Sequence, residues 1–229
     1  MYFLKPSLAT AFDAAGVVIF DLNGLLLDDE PYQLRATNDA LKSFGITLSE
    51  DQWISRCVGR RPSDYIPSML AMTGRGEVSI EGILKAKTKT YERLIAEAGA
   101  SVLRPGAVEI MTAARFATKA TAIATSTTRE NAQGVIGERG LRLVALVNYV
   151  VYGDDVTAGK PDPEIFENVR ARLPSSGAYI VFEDSQAGVE SAKAAKMVSI
   201  AVPNRFTARQ DFSAADFVIS GLTRDAVLL

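Results

Sequence analysis

The sequence has no histidine and a single cysteine, Cys57. Without histidine there can be no Ser-His or Cys-His nucleophile pair and no imidazole-ligated metal. One cysteine rules out an intrachain disulfide and a thiolate zinc cluster. Acid–base chemistry must use carboxylates, lysine, tyrosine or that one thiol. A metal site must be built from oxygen ligands, which points to magnesium or a similarly hard cation. Excess charge of one sign is also missing: 25 Lys plus Arg against 27 Asp plus Glu leave a formal −2. Neither the basic footprint of a nucleic-acid binder nor an acidic tail is present. No stretch approaches the roughly 20 apolar residues that span a bilayer. The N-terminal residues hold too short an apolar run, interrupted by Asp13, for a secretory leader, although they could pack on the core. The expectation is a reduced, soluble, cytoplasmic protein, a monomer or weak dimer, with no nucleic-acid or membrane partner.

What is present is 229 residues, 48% apolar and 23% charged, enough for a sizeable core and for two domains. The unbroken run Val17-Val18-Ile19-Phe20 reads as a strand buried on both faces of a parallel sheet. A helical stretch follows. Leu34, Leu41 and Phe44 fall at helical spacing before a stop at Gly45. Ser49 and Gln52 are spaced as a capping box ahead of Trp53. Pro62 can open a helix through Tyr65, Ile66 and Met69. After a turn at residues 73–76, Ile80, Leu84, Tyr91, Leu94 and Ile95 form a stripe that Gly99 ends. From about residue 100, helices near 106–117, 129–139, 163–172 and 186–196 alternate with strands at 121–124, 146–151, 179–182 and 198–202. A last strand is expected at 217–219. Such alternation predicts an α/β fold, a Rossmann-like parallel sheet with an inserted α-helical domain. The core would comprise residues 1–30 and 100–229, and the insert residues 31–99.

Ligands of open parallel sheets bind beyond the carboxyl ends of the strands. Asp21-Leu22-Asn23-Gly24 follows the first strand, Thr125-Ser126-Thr127 the second, and Glu183-Asp184-Ser185 the strand ending at Phe182, while Gly159-Lys160-Pro161-Asp162-Pro163 precedes a helix. Asp21, Glu183 and Asp184 converging at one edge would repel one another unless a cation sat among them. Lys160 and Thr125 suit an anionic ligand, most plausibly phosphate. An ionised aspartate beside a metal and a bound phosphate is a reasonable nucleophile.

These stretches, in this order, resemble the motifs of the haloacid dehalogenase-like (HAD) superfamily, in particular its phosphatase and phosphomutase branch with a small helical cap after the first motif. The first motif is Asp21-Leu22-Asn23-Gly24-Leu25-Leu26-Leu27-Asp28-Asp29-Glu30-Pro31 and the last is Glu183-Asp184-Ser185-Gln186-Ala187-Gly188. The resemblance covers essentially the whole chain. It implies that Asp21 attacks phosphorus to form an aspartyl-phosphate. It implies Mg²⁺ held by Asp21, the backbone carbonyl of Asn23, Glu183 and Asp184. Lys160 and Thr125 would neutralise and orient the phosphoryl oxygens, with backbone N–H groups of Ser126 and Gly24 assisting. The cap would close over a small phosphorylated metabolite, by default a sugar phosphate, and select the leaving group.

One residue departs from the pattern. Where phosphoryl-transfer members normally carry a second, acid–base aspartate, this chain has Asn23. A carboxamide cannot exchange protons in that way, and losing a positioned acid–base group costs on the order of 10²–10⁴ in rate. Three readings stand: a substitution made to trap a complex, a natural variant with slow or altered phosphatase activity, or a phosphate-binding protein that no longer turns over. Gln33 occupies a position often held by histidine in the branch's sugar phosphomutases, which ranks a mutase below a phosphatase. Phosphonate cleavage wants a cap lysine, and Lys85, Lys87 and Lys89 have no distinctive sequence context. Arg60 and Arg61, after Gly59, are either solvated or reach the substrate, for which Gln33 is the third candidate from the cap. Trp53 and Tyr91 read as cap core, Cys57 as a small buried apolar residue, and Asp28 and Asp155 as loop holders or partners of Lys160.

Overall fold

A computed structural model of the protein describes residues 14–71, 79–117 and 120–223. The turn expected at 73–76 and the N-terminal stretch through Asp13 lie outside the described residues. The strands are β1 (Ala15–Phe20), β2 (Ala120–Ala124), β3 (Tyr149–Val151), β4 (Ala178–Glu183), β5 (Val198–Ala201) and β6 (Phe217–Val218). They form a six-stranded sheet in the order β3-β2-β1-β4-β5-β6, with every neighbouring pair parallel. The chain moves outward from β1 through β2 to β3, then returns to lay β4 on the other side of β1. That reversal opens a crevice at the carboxyl ends of β1 and β4, where ligands of such sheets bind.

Side-chain alternation along β1 divides the core. Val18 and Phe20 face Ile110, Met111 and Val135. Val17 and Ile19 face Ile165, Phe166 and Val169. Phe20 stacks on Phe182 with ring centroids 5.3 Å apart. Both rings are fully buried, each worth roughly 1.5–3 kcal/mol over exposure.

After β1 come four α-helices: α1 (Glu30–Leu41), α2 (Glu50–Arg56), α3 (Pro62–Ala71) and α4 (Ile80–Ala98). The capping box forms as the spacing predicts, Ser49 Oγ accepting the Gln52 N–H while Gln52 Oε1 accepts the Ser49 N–H. Trp53, Tyr65, Ile66 and Ile83 pack a separate apolar cluster, into which Phe206, from beyond β5, also reaches.

The later helices are α5 (Ala107–Ala117), α6 (Arg129–Ile136), α7 (Glu164–Arg172) and α8 (Gln186–Ala194). α6 stops short of the expected 139 because the chain turns at Gly137, and the Leu141 N–H returns to the Val135 carbonyl at 2.7 Å. The strand expected at 146–151 shrinks to three residues. Residues Leu143–Leu146 form a 3₁₀ turn that buries Leu143. Asn148 then uses its side-chain oxygen to accept the Thr121 N–H at 2.9 Å. An edge strand this short is a common way to protect a sheet margin.

Candidate active site

Asp21 continues β1, its N–H donating to the Phe182 carbonyl at 3.0 Å. Its side chain emerges at the carboxyl edge of the sheet beside Glu183 and Asp184 at the end of β4. Carboxylate oxygens of Asp21, Glu183 and Asp184 lie within 4.8 Å of one another, and all three residues are buried. Lys160 reaches in from the loop before α7. Its ammonium donates to Asp21 Oδ1 at 2.6 Å, to the Ala124 carbonyl at 3.2 Å and to Glu183 Oε1. All three ammonium protons therefore have acceptors.

Burial pushes the Asp21 carboxyl up to about 7, against the pull of Lys160 and with a further push from Glu183. Burial also lifts Asp184 well above the usual carboxylate range, reinforced by Asp21 and Glu183. Burial acts to depress the Lys160 ammonium, but Asp21 and Glu183 outweigh it and hold the group above its ordinary value. Fully ionised, three carboxylates facing one ammonium would carry net negative charge away from water, and the raised Asp21 and Asp184 carboxyls express that burial and repulsion. An all-oxygen donor set with that charge fits a hard divalent cation such as magnesium.

The carboxylates are held differently. Glu183 Oε2 accepts from the N–H groups of Asp184 and Ser185 and from the Ser185 hydroxyl, so together with Lys160 both its oxygens are engaged. Gly188, in the first turn of α8, makes room for it: a methyl there would stand 1.9 Å from the Glu183 carboxyl carbon. Asp184 Oδ2 accepts from Asn204 Nδ2 at 2.8 Å. Gly24 is the other close approach. Its φ is +79°, and a Cβ there would meet Asp184 Oδ2 at 2.2 Å.

These groups form the floor of a cavity of about 330 Å³. Asp21, Asn23, Lys160, Asp184 and Ser126 line it from the sheet side. Gln33, Arg60, Arg61, Lys87 and Tyr91 line it from the helical insert. The sequence-predicted residues thus converge, with adjustments. Thr125 is 1% exposed and stands behind the wall, its hydroxyl accepting the Thr127 N–H at 3.1 Å. Thr127 lines the cavity in its place. The Gly24 N–H, expected to face phosphate, donates instead to Asp29 Oδ1 at 3.0 Å. Arg61 packs over the loop carrying Lys160, where a methyl on Gly159 would come within 2.6 Å of the guanidinium. Lys160 takes its carboxylate partners from Asp21 and Glu183; Asp155 holds Arg129 and the Tyr152 N–H, and Asp28 is exposed.

Beside Asn23 lies a second buried group that sequence reasoning missed. Asp29 Oδ2 accepts from Asn23 Nδ2 at 2.6 Å, Gln33 Nε2 at 3.1 Å and the Tyr91 hydroxyl at 2.6 Å. Lys87 is buried, contrary to the expectation that nothing distinguishes it, and donates to Gln33 Oε1 at 2.5 Å. Glu30 Oε2 accepts from Trp53 Nε1 at 2.6 Å. Burial raises Asp29 against its donors Tyr91, Asn23, Gln33 and Gly24. Burial, helped by Asp29, pushes Glu30 up to about 7. Burial pulls Lys87 down to about 8 against Asp29 and Glu30. Trp53 and Tyr91 are therefore both apolar packing and polar wall. The doublet Asp28-Asp29 ahead of Glu30 was the available signal, but only tertiary contacts separate the exposed acid from the buried one.

The fold and this carboxylate–lysine centre fall within a known class of hydrolase. Residues 18–202 match the family model for haloacid dehalogenase-like hydrolases, so the chain belongs to that family. It is 29% identical over 215 residues to the protein CbbY of Rhodobacter capsulatus, covering 91% of this chain and 94% of that one. It is 33% identical over 185 residues to a phosphorylated carbohydrates phosphatase of Thermotoga maritima, covering 78% and 80% respectively. The solved structure of CbbY from Rhodobacter sphaeroides in complex with phosphate has the same fold, with TM-score 0.79 at 24% identity over 90% of this chain and 94% of that one. Among the described residues no helix is long and apolar enough to cross a membrane.

Proposed function

We propose that the protein is a magnesium-dependent phosphatase of a small phosphorylated carbohydrate, working through an aspartyl-phosphate on Asp21 and slowed by Asn23. The observation that carries this reading is Asp21 itself. It is a buried carboxylate on the cavity floor, 2.6 Å from the Lys160 ammonium and clustered with Glu183 and Asp184. The names of the relatives, one of them a phosphatase of phosphorylated carbohydrates, support the substrate class.

In this reading Asp21 attacks phosphorus, and the bond from phosphorus to the sugar oxygen breaks with its electron pair leaving on that oxygen. Water then attacks the phosphoryl group, the bond to Asp21 breaks, and inorganic phosphate leaves. Lys160 and the Ser126–Thr127 turn balance charge on the phosphoryl oxygens. Asp21, Glu183, Asp184 and the Asn23 backbone carbonyl would hold the magnesium ion, and Glu183 would also position Lys160. The bound ion would supply positive charge to the phosphoryl oxygens. The Asn23 carboxamide cannot protonate the leaving oxygen, so substrates with poor leaving groups turn over slowest. Residues 31–99 act as a cap over a core of 1–30 and 100–229, offering Arg60 and Arg61 to the substrate while Gln33 ties Lys87 to Asp29.

The test is a panel of sugar phosphates and aryl phosphates with and without magnesium, on the parent and on Asp21→Asn. Magnesium-dependent turnover that D21N abolishes, with a rapid-quench burst on aryl phosphates followed by slow hydrolysis, is the expected result. Full turnover in D21N would overturn the nucleophile. A specific observation favours one rival, a phosphometabolite-binding protein without turnover: the Asn23 carboxamide is held at both ends, by Asp29 and by the Thr127 hydroxyl at 2.7 Å. Tight binding with no phosphate release from any panel member would select it.

A further inference from the structure

An aspartate that begins a helix ordinarily caps it. Asp29 stands at the N-cap of α1, yet its side chain makes no cap hydrogen bond and is wholly buried. It turns back toward the nucleophile loop and accepts from Asn23 Nδ2, the Gly24 N–H, Gln33 Nε2 and the Tyr91 hydroxyl. An ionised carboxylate offers about four acceptor sites, two on each oxygen; three of these donors converge on Oδ2 and one reaches Oδ1.

We propose that Asp29 is the positioning residue of the nucleophile loop, matched to Asn23, so that the carboxylate at 29 requires a hydrogen-bond donor at 23. The inference deepens the phosphatase reading above and rests on it only for its activity readout. The neighbours dictate which way the Asn23 amide points. Its nitrogen lies 2.6 Å from Asp29 Oδ2, and its oxygen accepts from the Thr127 hydroxyl at 2.7 Å, with Thr125 Oγ1 3.4 Å away. Gln33 is oriented by the same logic. Lys87 can only donate, so it takes Gln33 Oε1 and leaves Nε2 for Asp29.

A carboxylate at 23 would set two acceptors 2.6 Å apart in a buried site already full of committed donors. Asparagine is therefore the residue this pocket asks for, and Asn23→Asp alone does not restore an acid–base group. The Asn23→Asp/Asp29→Asn exchange rebuilds the same contact with donor and acceptor reversed. The Tyr91 hydroxyl can turn to suit it, but Gln33 Nε2 loses its acceptor, so the rescue is expected to be partial.

The experiment compares the parent, N23D, D29N and the exchange. Melting temperature is read in magnesium-free buffer, and turnover of p-nitrophenyl phosphate is read with magnesium. N23D should melt about 5 °C or more below the parent and gain less than about threefold in turnover. D29N should lose about tenfold. The exchange should melt above N23D and turn over at least about tenfold faster than it. N23D matching the exchange in turnover, or melting shifts that simply add, would overturn the pair. If N23D is insoluble, the Asn23→Ala/Asp29→Ala cycle introduces no new charge. Non-additive melting shifts there support the pair, and additive ones overturn it. Should all forms prove inert toward phosphate esters while the melting shifts stay non-additive, the phosphatase reading fails and the pair stands.

Discussion

At the sheet end of the cavity three carboxylates meet one ammonium. At the helical end two buried acids, Asp29 and Glu30, meet the neutral donors of Asn23, Gln33, Tyr91 and Trp53, with Lys87 nearby. The first cluster is bound by direct ion pairs from Lys160 to Asp21 and Glu183, and its remaining charge suits a cation. The second is bound by hydrogen bonds, so its geometry is set by donor and acceptor identity. Removing one member should hurt in different ways: through charge at the sheet end, through orientation at the helical end.

Lys160→Met breaks the comparison most severely. It leaves Asp21 and Glu183 buried without their cation. Truncating one member of a buried pair costs about 3–5 kcal/mol. Chemical denaturation without magnesium should show a loss of that order, and added magnesium should recover part of it. Equal stability of K160M and the parent would mean that the ammonium does not hold the cluster together.

Gly188→Ala probes orientation at the sheet end without removing charge. The methyl would lie 1.9 Å from the Glu183 carboxyl carbon, so the carboxylate must move and Lys160 with it. Turnover should fall by about 10² with a smaller change in melting temperature than in K160M. Parent-like kinetics would show that Glu183 does not position the lysine.

The smallest effect is expected from Glu30→Gln, which sharpens the contrast by its pH dependence. Glu30 is raised from 4.5 to about 7. Between those values the folded chain holds a proton that the unfolded chain has released. The group's contribution to stability is therefore fully present below about 4.5 and is lost as pH rises through about 7. E30Q should flatten the fall in stability across that window. Denaturation followed by the fluorescence of Trp53, the single tryptophan, reads it directly, since its indole N–H donates to Glu30. An unchanged slope would assign the titration elsewhere.

The two ends also differ in how far they could be read from the chain. Asp21, Lys160, Glu183 and Asp184 each follow a strand or precede a helix in a parallel-sheet pattern, and the pattern itself sends those positions to one edge. Thr127 was read only as part of the stretch after the second strand, and Asn204 and Arg104 were not read. Arg104 Nη1 donates to the Gly24 carbonyl at 2.7 Å, and Asn204 holds Asp184, yet no periodicity marks either. Gln33 was marked only through the family resemblance, while Lys87 and Tyr91 sat inside an amphipathic helix, where a buried polar side chain is hidden by the apolar stripe around it.

The alternation of β-branched runs with amphipathic segments determined the parallel sheet, the helical insert and the edge where the acids gather. Backbone periodicity suffices for that, because strand direction fixes which loops share an end. Tertiary structure alone decided that Asp29, not Asp28, turns inward and that the Asn23 amide points its nitrogen at it. It also decided that Lys87 lies buried near two acids. Those outcomes depend on which donors meet which acceptors where helices packed far apart in sequence close over the sheet, and no local pattern encodes that meeting.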